Sequence, residues 1–542
     1  MYDILGSLPD RQRLRTMVQC AIPAIAMVRL TTQAIAKNRT INQSVTIRNL
    51  PQAVPMIEIS SAIISSFAVY LVVVLAIGII AWRRTQDLKD YILGGRRLGP
   101  WVTALSAQAS DMSGWLLLGL PGYAYIAGLE SAWLLLGLLS GTYLNWKFTA
   151  ERLRQATERC GDALTLPEYL EHRFDDRGVL RLVSAIFILV FFTFYTSSGL
   201  VAGGRLFEAV FGLPYLWAVC AGGITVVLYT FFGGFLAVSW TDLLQGILMF
   251  LALLAVAVTA LLTIGGVESL AGQIREINPE LLNLWTDTEG SPLGWIAIAS
   301  LLGWGLGYFG QPHVLARFMA AKSADAIPAS RKIAMIWVSI ALLAGSIVGL
   351  TGIVLAEPAL EGADSEKIFM VLTALLMQPV IAGICLAGIL AAVMSTADSQ
   401  LLVASSAVSE DLYKGQFRHQ ASGSELLWVG RIAVVVIACV AFWLAADPDS
   451  KVLDLVAYAW AGFGAAFGPV VLLSLYWPGM SRAGALAGVL AGGFTVIIWK
   501  QMQGGIFDLY EIVPGVIIAS AAVFVASHVW PQTPGHPGSK TR

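Results

Sequence analysis

Charged residues are what this sequence has least of. Asp, Glu, Lys and Arg make up 13% of its 542 residues, where a soluble globular chain carries about 25%. A soluble chain of that length needs far more charge on its surface, so the deficit excludes that class. The formal net charge is -1, and no basic patch with interleaved aromatics points to nucleic acid. The five cysteines (Cys20, Cys160, Cys220, Cys385 and Cys439) are scattered without CxxC spacing, which excludes a disulfide framework or a cysteine-based zinc site. The five histidines form no HExxH, and there is neither a P-loop nor a GxSxG elbow, so no cofactor or enzymatic centre is readable. No obligatory protein partner is evident.

What the chain has instead is apolar sequence, 57% of all residues, in blocks of about 20, the length that spans about 30 Å of hydrocarbon. Thirteen such segments follow Met56, at 58–82, 100–126, 130–149, 180–204, 214–232, 238–264, 294–318, 330–356, 376–411, 427–446, 453–477, 483–501 and 510–530. Residues 1–56 differ, with seven Lys or Arg and one weak apolar run, Cys20–Val28. They read as a disordered extension or an upstream start, and they lack the features of a signal peptide.

Lysine and arginine set the orientation. Arg83, Arg84, Lys89, Arg96 and Arg97 follow segment one, and Lys147 to Arg177 follow segment three. Arg317, Lys322, Arg331 and Lys332 follow segment seven, and Lys414 and Arg418 follow segment nine. These alternate loops are expected in the cytoplasm, which also puts the tail 531–542 inside. In the loop after segment three, Thr165-Leu166-Pro167 signals a short surface helix.

Two segments are built to break. Within a bilayer, unwound backbone survives only where it lines a cavity or binds something. Segment two carries Ser106-Ala107-Gln108-Ala109-Ser110-Asp111-Met112-Ser113-Gly114, a carboxylate and hydroxyls in mid-membrane. Segment seven carries Gly303-Trp304-Gly305-Leu306-Gly307-Tyr308-Phe309-Gly310-Gln311-Pro312. The two lie five segments apart, so two to six and seven to eleven read as five-helix repeats, the inverted-repeat arrangement of secondary transporters. The competing reading of the glycines is close helix packing. In segment nine, Ser395 and Thr396 offer hydroxyls, and a carbonyl three residues earlier completes a set suited to a hard cation. Back-bonding of those hydroxyls to helix carbonyls is the alternative.

These runs closely resemble the sodium/solute symporter family. The resemblance extends from about Met56 to about residue 525 and is carried by Tyr91–Arg96, Thr103–Ala107 with Ala109–Leu117, Gly303–His313 with Leu315–Ala320, Ala391–Thr396, and Ala459–Val471. It implies an all-α membrane protein with a five-plus-five, LeuT-like core, one helix before it and two after. The implied divisions are 57–99, a first repeat at 100–264, a second at 294–477 and two C-terminal helices at 483–530. The implied activity is sodium-coupled import of a small solute across the bacterial inner membrane, and the branch it most resembles carries L-proline.

The resemblance also implies roles. Sodium, a co-transported ligand, would meet the carbonyls of Ala109, Met112 and Ala392 and the hydroxyls of Ser395 and Thr396, with Asp111 a carboxylate important for coupling. Ser113, Gly114, Tyr195, Trp304, Tyr308 and Pro312 would contact substrate. Arg96 and Asp242 would serve transport and ion movement. Asp398, Ser399 and Thr196 depart from the family pattern. The implied pocket has aromatic walls and few polar side chains beyond Gln108 and Gln311, which suits a compact zwitterion better than a sugar. Coupling to protons through Asp111 or Asp398, or a different small solute, are the alternatives.

Overall fold

The computed structural model describes residues 60–82, 92–232 and 234–531. The expected extension 1–56, the loop cations Arg83, Arg84 and Lys89, and the tail beyond residue 531 lie outside the described residues. Among the described residues there is no strand; two isolated bridges join Leu98 to Ala321 and Thr286 to Pro292.

The first helix, α1 (Ser61–Trp82), has no charged residue in 22 positions. Segment two is divided. α2 (Pro100–Asp111) starts on a proline at its first turn, where no amide is missed. It stops at Met112 (φ -80, ψ 75). A wide turn over Trp115–Gly119 then leads into α3 (Leu120–Ala127). Segment three is α4 (Ala132–Asn145), continued by Trp146–Ala150 into α5 (Glu151–Arg159).

The expected surface helix is α6 (Leu166–Phe174). The Thr165 hydroxyl accepts the Glu168 amide at 3.1 Å, and the Glu168 carboxylate accepts the Leu164 amide at 2.7 Å. This reciprocal cap resembles a capping box. α7 (Val179–Phe211) runs 33 residues between Gly178 and Gly212, both left-handed. At 1.5 Å per residue it is longer than the hydrocarbon layer is thick, so it must tilt or project. α8 (Tyr215–Phe232), α9 (Phe235–Ile264) and the short amphipathic α10 (Val267–Ile277) follow.

Segment seven is the second divided one: α11 (Trp295–Gly303), a tight 3₁₀ stretch Trp304–Gly310, and α12 (Pro312–Ala320). Beyond it come α13 (Ile327–Leu355), α14 (Ile368–Leu376), α15 (Pro379–Ser406, prolonged by a wide-turn stretch Ala407–Phe417), α16 (Gly423–Leu444), α17 (Val452–Tyr476), α18 (Arg482–Trp499) and α19 (Ile512–Val529).

By length and composition, ten of these stretches can cross a membrane. The expected thirteen are not all reproduced on those criteria. Trp115–Arg159 counts once although it holds both α3 and α4, and Tyr215–Val227 and Trp295–Gly310 are shorter.

The 3₁₀ stretch is held between α4 and α17 by glycine. A Cβ on Gly141 would lie 2.1 Å from the Gly305 carbonyl oxygen. One on Gly307 would lie 1.9 Å from the Trp460 indole nitrogen. The packing role that the sequence offered for these glycines is therefore real, and it coexists with the unwinding. Gly141→Ala is expected to lower the melting temperature of purified protein, at a cost of about 1–3 kcal/mol for overpacking. Gly272→Ala in α10, with open space around it, is expected to stay within about 1 kcal/mol of the parent.

Candidate functional site

The break in segment two exposes specific carbonyls. The Ser113 amide turns to the Asp111 carbonyl at 2.9 Å, and the Leu116 amide to that of Ser113 at 3.0 Å. An unbroken α-helix would have given these donors to Ala109 and Met112. Those two carbonyls are therefore among the ones the helix ladder skips. The Ala109 carbonyl accepts the Ser395 hydroxyl at 2.8 Å and the Thr396 hydroxyl at 3.3 Å. Ser395 Oγ also lies 3.2 Å from the Ala392 carbonyl. Ala109, Ala392, Ser395 and Thr396 therefore form one cluster of oxygens between α2 and α15, shut off from solvent. Back-bonding to Ala392 is present, as the alternative reading had it, but the shorter bond of Ser395 crosses between helices.

The Asp111 carbonyl accepts the Tyr195 hydroxyl at 3.2 Å and the Trp115 indole N–H at 3.1 Å. Tyr195, on α7, thus braces the broken backbone. The Asp111 carboxylate is fully buried, and neither oxygen has a hydrogen bond of ordinary geometry. Tyr308 lies beside it.

The six expected substrate residues are not all brought together. Ser113, Tyr195 and Tyr308 surround the first break. Gly114 packs against α7, where an added Cβ would meet that of Ala202 at 2.6 Å. The Trp304 ring lies over Tyr510, with centroids 5.3 Å apart. Pro312 lines a different, small cavity of about 30 Å³ with Leu164, Thr165 and Asp411.

The 3₁₀ stretch is satisfied by Gln311 and by two neighbours that the sequence reading passed over, Trp460 and Asn145. Trp460 of α17 donates its indole N–H to the Trp304 carbonyl at 2.7 Å and packs edge-on to Tyr308 at 4.8 Å. Asn145 donates to the Tyr308 carbonyl at 2.9 Å. Gln311 donates to the carbonyls of Gly307 and Trp460 at 3.1 and 3.2 Å. Trp460 sits in the run Ala459–Val471 that carries the family resemblance, so the sequence held a signal for it.

Asp242 pairs with Arg317 at 3.1 Å, both fully buried. Arg317 was counted with the loop cations of the cytoplasmic face; it is instead a core residue. A carboxylate buried on α9 needs a counter-charge, and α12 supplies it. Ser106 of α2 donates to Asp242 at 2.7 Å and accepts from Arg317 at 3.1 Å. Arg317 also donates to the Ser399 hydroxyl, and Ser399 donates to the Ser395 carbonyl at 2.7 Å. Asp398 is buried beside this pair. The departures Asp398 and Ser399 therefore belong to a buried charge network one helical turn from the oxygen cluster.

Charged clasps flank this centre. Arg96, held in left-handed backbone (φ 53), pairs with Asp162 at 2.9 Å and donates to the carbonyls of Met319 and Ala163 at 2.9 and 3.0 Å. Arg181 and Thr165 both bond Asp411, at 2.7 and 2.8 Å. In another loop, Glu366 accepts the amides of Val452 and Leu453 at the start of α17, at 3.0 and 3.1 Å, with Arg205 3.8 Å away. Burial pushes the Glu366 carboxyl above its ordinary range, while Arg205 and those two amides pull it back.

Two interrupted membrane helices, five segments apart, with released carbonyls and buried polar side chains at the interruptions, define a secondary transporter of the inverted-repeat class. Residues 91–492 match the sodium:solute symporter family. The chain belongs to that family and is a multi-pass membrane transporter, not an enzyme.

It is 52% identical over 475 residues to the sodium/proline symporter of Escherichia coli strain K12, covering 86% of this chain and 93% of that one. It is 50% identical over 459 residues to a high-affinity proline transporter of Bacillus subtilis strain 168, covering 84% and 95%. Among solved structures, a substrate-bound, outward-open Na⁺-coupled sialic acid symporter shares the fold with a TM-score of 0.70 at 19% identity, over 88% of this chain and all of that one. A nucleobase-cation-symport-1 family transporter in a closed conformation gives 0.50 at 15% identity, over 82% and 96%. The fold is all-α with the five-plus-five, LeuT-like core.

The buried pair makes a direct prediction. Removing one partner strands a charge, so Asp242→Ala and Arg317→Ala should each cost about 3–5 kcal/mol. The double variant Asp242→Leu/Arg317→Met should recover much of that loss. Thermal unfolding of the purified variants checks the order; a double variant no better than the singles contradicts it.

Proposed function

We propose that this chain imports L-proline together with sodium by alternating access. The observation that carries the ion half is the convergence of Ser395 and Thr396 on the one carbonyl, that of Ala109, released by the break. In this reading the hydroxyls turn their protons aside when sodium arrives. Ala109, Met112 and Ala392 then give carbonyl oxygens and Ser395 and Thr396 hydroxyl oxygens, five hard ligands for a hard cation. The proline half is supported by the relatives named above and by the chemistry around the first break. Tyr195, Tyr308 and Trp304 offer aromatic surface, and Ser113 and Gly114 open the second half of the broken helix, whose amides favour a carboxylate. Gly114 also serves packing, and Pro312, which lines the small cavity with Thr165 and Asp411, is assigned to substrate contact.

Arg96 and Asp242 are assigned positioning roles. Arg96 fastens the 157–163 turn to the end of α12, and Asp242 holds Arg317 against α15. The two repeats are assigned to 100–264 and 294–477, after 57–99 and before two closing helices at 483–530. The placement is the bacterial plasma membrane with the tail 531–542 in the cytoplasm. Single cysteines near Arg154 and Lys414, in a background without native cysteines, should react with impermeant thiol reagents only from the cytoplasmic side, and one near Asp364 only from outside. Labelling of all three from one face contradicts this topology.

Uptake of labelled solutes into proteoliposomes under an imposed sodium gradient tests the function. L-proline should enter saturably and sodium-dependently, with glucose failing to compete. Ser395→Ala and Thr396→Ala should each raise the half-saturating sodium concentration by about tenfold or more, the effect of losing one ligand worth at least ~1.4 kcal/mol. Unchanged sodium dependence in both variants sinks the ion site. A pH-gradient-driven uptake without sodium sinks the coupling.

A further inference from the structure

Helix α19 lies beyond both assigned repeats, yet its first residues reach the second break. A Cβ added to Gly303 would lie 2.7 Å from the Val513 side chain, and one on Gly464 of α17 would lie 2.7 Å from that of Ile512. This close fit seats Tyr510, two residues ahead of the helix, against the 3₁₀ stretch. The chain on either side of it is pinned. The Trp499 indole, at the end of α18, donates to the Leu509 carbonyl at 2.9 Å, and Lys500 pairs with Glu511 at 3.7 Å. Tyr510 itself is held at both ends. Its amide donates to the Ser300 hydroxyl of α11 at 2.9 Å, and its own hydroxyl donates to the Ala457 carbonyl of α17 at 2.6 Å.

What this anchored ring touches is Trp304. The Trp304 carbonyl is taken by the Trp460 indole at 2.7 Å, which fixes the backbone there. That bond does not set the direction of the Trp304 ring. Its sequence neighbours are Gly303 and Gly305, which put no side chain against it. The Tyr510 ring does, with centroids 5.3 Å apart and planes 31° from parallel, inside the range over which aromatic pairs attract. The Tyr510 phenol also stands within electrostatic reach of the Tyr195 phenol, which braces the first break. We propose that Tyr510 is a positioning residue for the substrate: its ring, anchored on α11 and α17, holds the Trp304 indole in place as a wall of the substrate pocket.

This assignment rests on the proline reading above, in which Trp304 offers aromatic surface to the substrate. It gives a helix outside the repeats a part in substrate affinity and none in ion binding, since the oxygen cluster lies between α2 and α15.

The test is a double-variant cycle on the full-length protein in proteoliposomes, with the half-saturating proline, the half-saturating sodium and the maximal rate read for each variant. Tyr510→Leu should raise the half-saturating proline about three- to tenfold, the range of an aromatic pair. The maximal rate and the half-saturating sodium should stay within about twofold of the parent. Tyr510→Phe keeps the ring and should stay within about twofold of the parent throughout. In a Trp304→Ala background, Tyr510→Leu should add less than about twofold, because no wall is left to hold. Tyr510→Met, closer to the ring in volume, carries the same test should Tyr510→Leu not reach the membrane. Effects of the two substitutions that multiply overturn the assignment. A Tyr510→Leu protein whose proline dependence is unchanged, or whose sodium dependence and maximal rate fall as far as its proline affinity, overturns it too, as does a Tyr510→Phe protein no better than Tyr510→Leu. A Trp304→Ala protein with the parent's proline affinity removes Trp304 from the pocket and the assignment with it. A parent that takes up no proline brings down the proline reading itself.

Discussion

Inside a bilayer, a backbone carbonyl that leaves its helix ladder has no water to turn to. The arrangement of this molecule follows from meeting that constraint at two interruptions. At the first, the skipped Ala109 carbonyl is met by hydroxyls from α15 and the Asp111 carbonyl by Tyr195 and Trp115. At the second, the carbonyls of Trp304, Gly307 and Tyr308 are met by Trp460, Gln311 and Asn145. Every helix that lends a donor must come close, and glycine makes the closeness possible at Gly141 and Gly307. Unwinding and tight packing are thus two halves of one solution, although the sequence presented them as rival explanations.

Charge obeys the same rule with larger penalties. Asp242 and Arg317 enter the core together, supported by Ser106 and Ser399. Asp411 is met by Arg181 and Thr165, and Glu366 by two amides and Arg205. Asp111, beside Tyr308, forms no ion pair among the described residues, and it sits at a break.

Most of the fold was legible because its signals are local. Apolar runs fix the helices, and Gly-rich or polar interruptions fix the breaks. The capped helix after Thr165 was readable from three residues. The role of Arg317 was not, because an arginine near the end of an apolar run looks the same whether it points to water or to a carboxylate on another helix. Only the pairing across chain distance separates the two. Trp460 was missed for a related reason: its run was recognised as a whole, but nothing in one sequence says which indole points at an opened backbone. Trp304 and Pro312 were grouped with the pocket by resemblance. The 3₁₀ stretch, rising about 2.0 Å per residue, carries them apart, towards Tyr510 and towards Thr165.

The knot of Ser106, Asp242, Arg317 and Ser399 stitches together α2, α9, α12 and α15. Drawing any one of these helices away from the others would bare a charge or a charged hydrogen bond in a dry interior, at a cost of several kcal/mol, well beyond thermal agitation. Whatever motion opens the pathway must therefore carry these four as a single block. Its slip planes are left to run along interfaces held by shape alone, such as the methyl-to-glycine contact of α3 and α13, where Ala124 and Pro121 lie against Gly349.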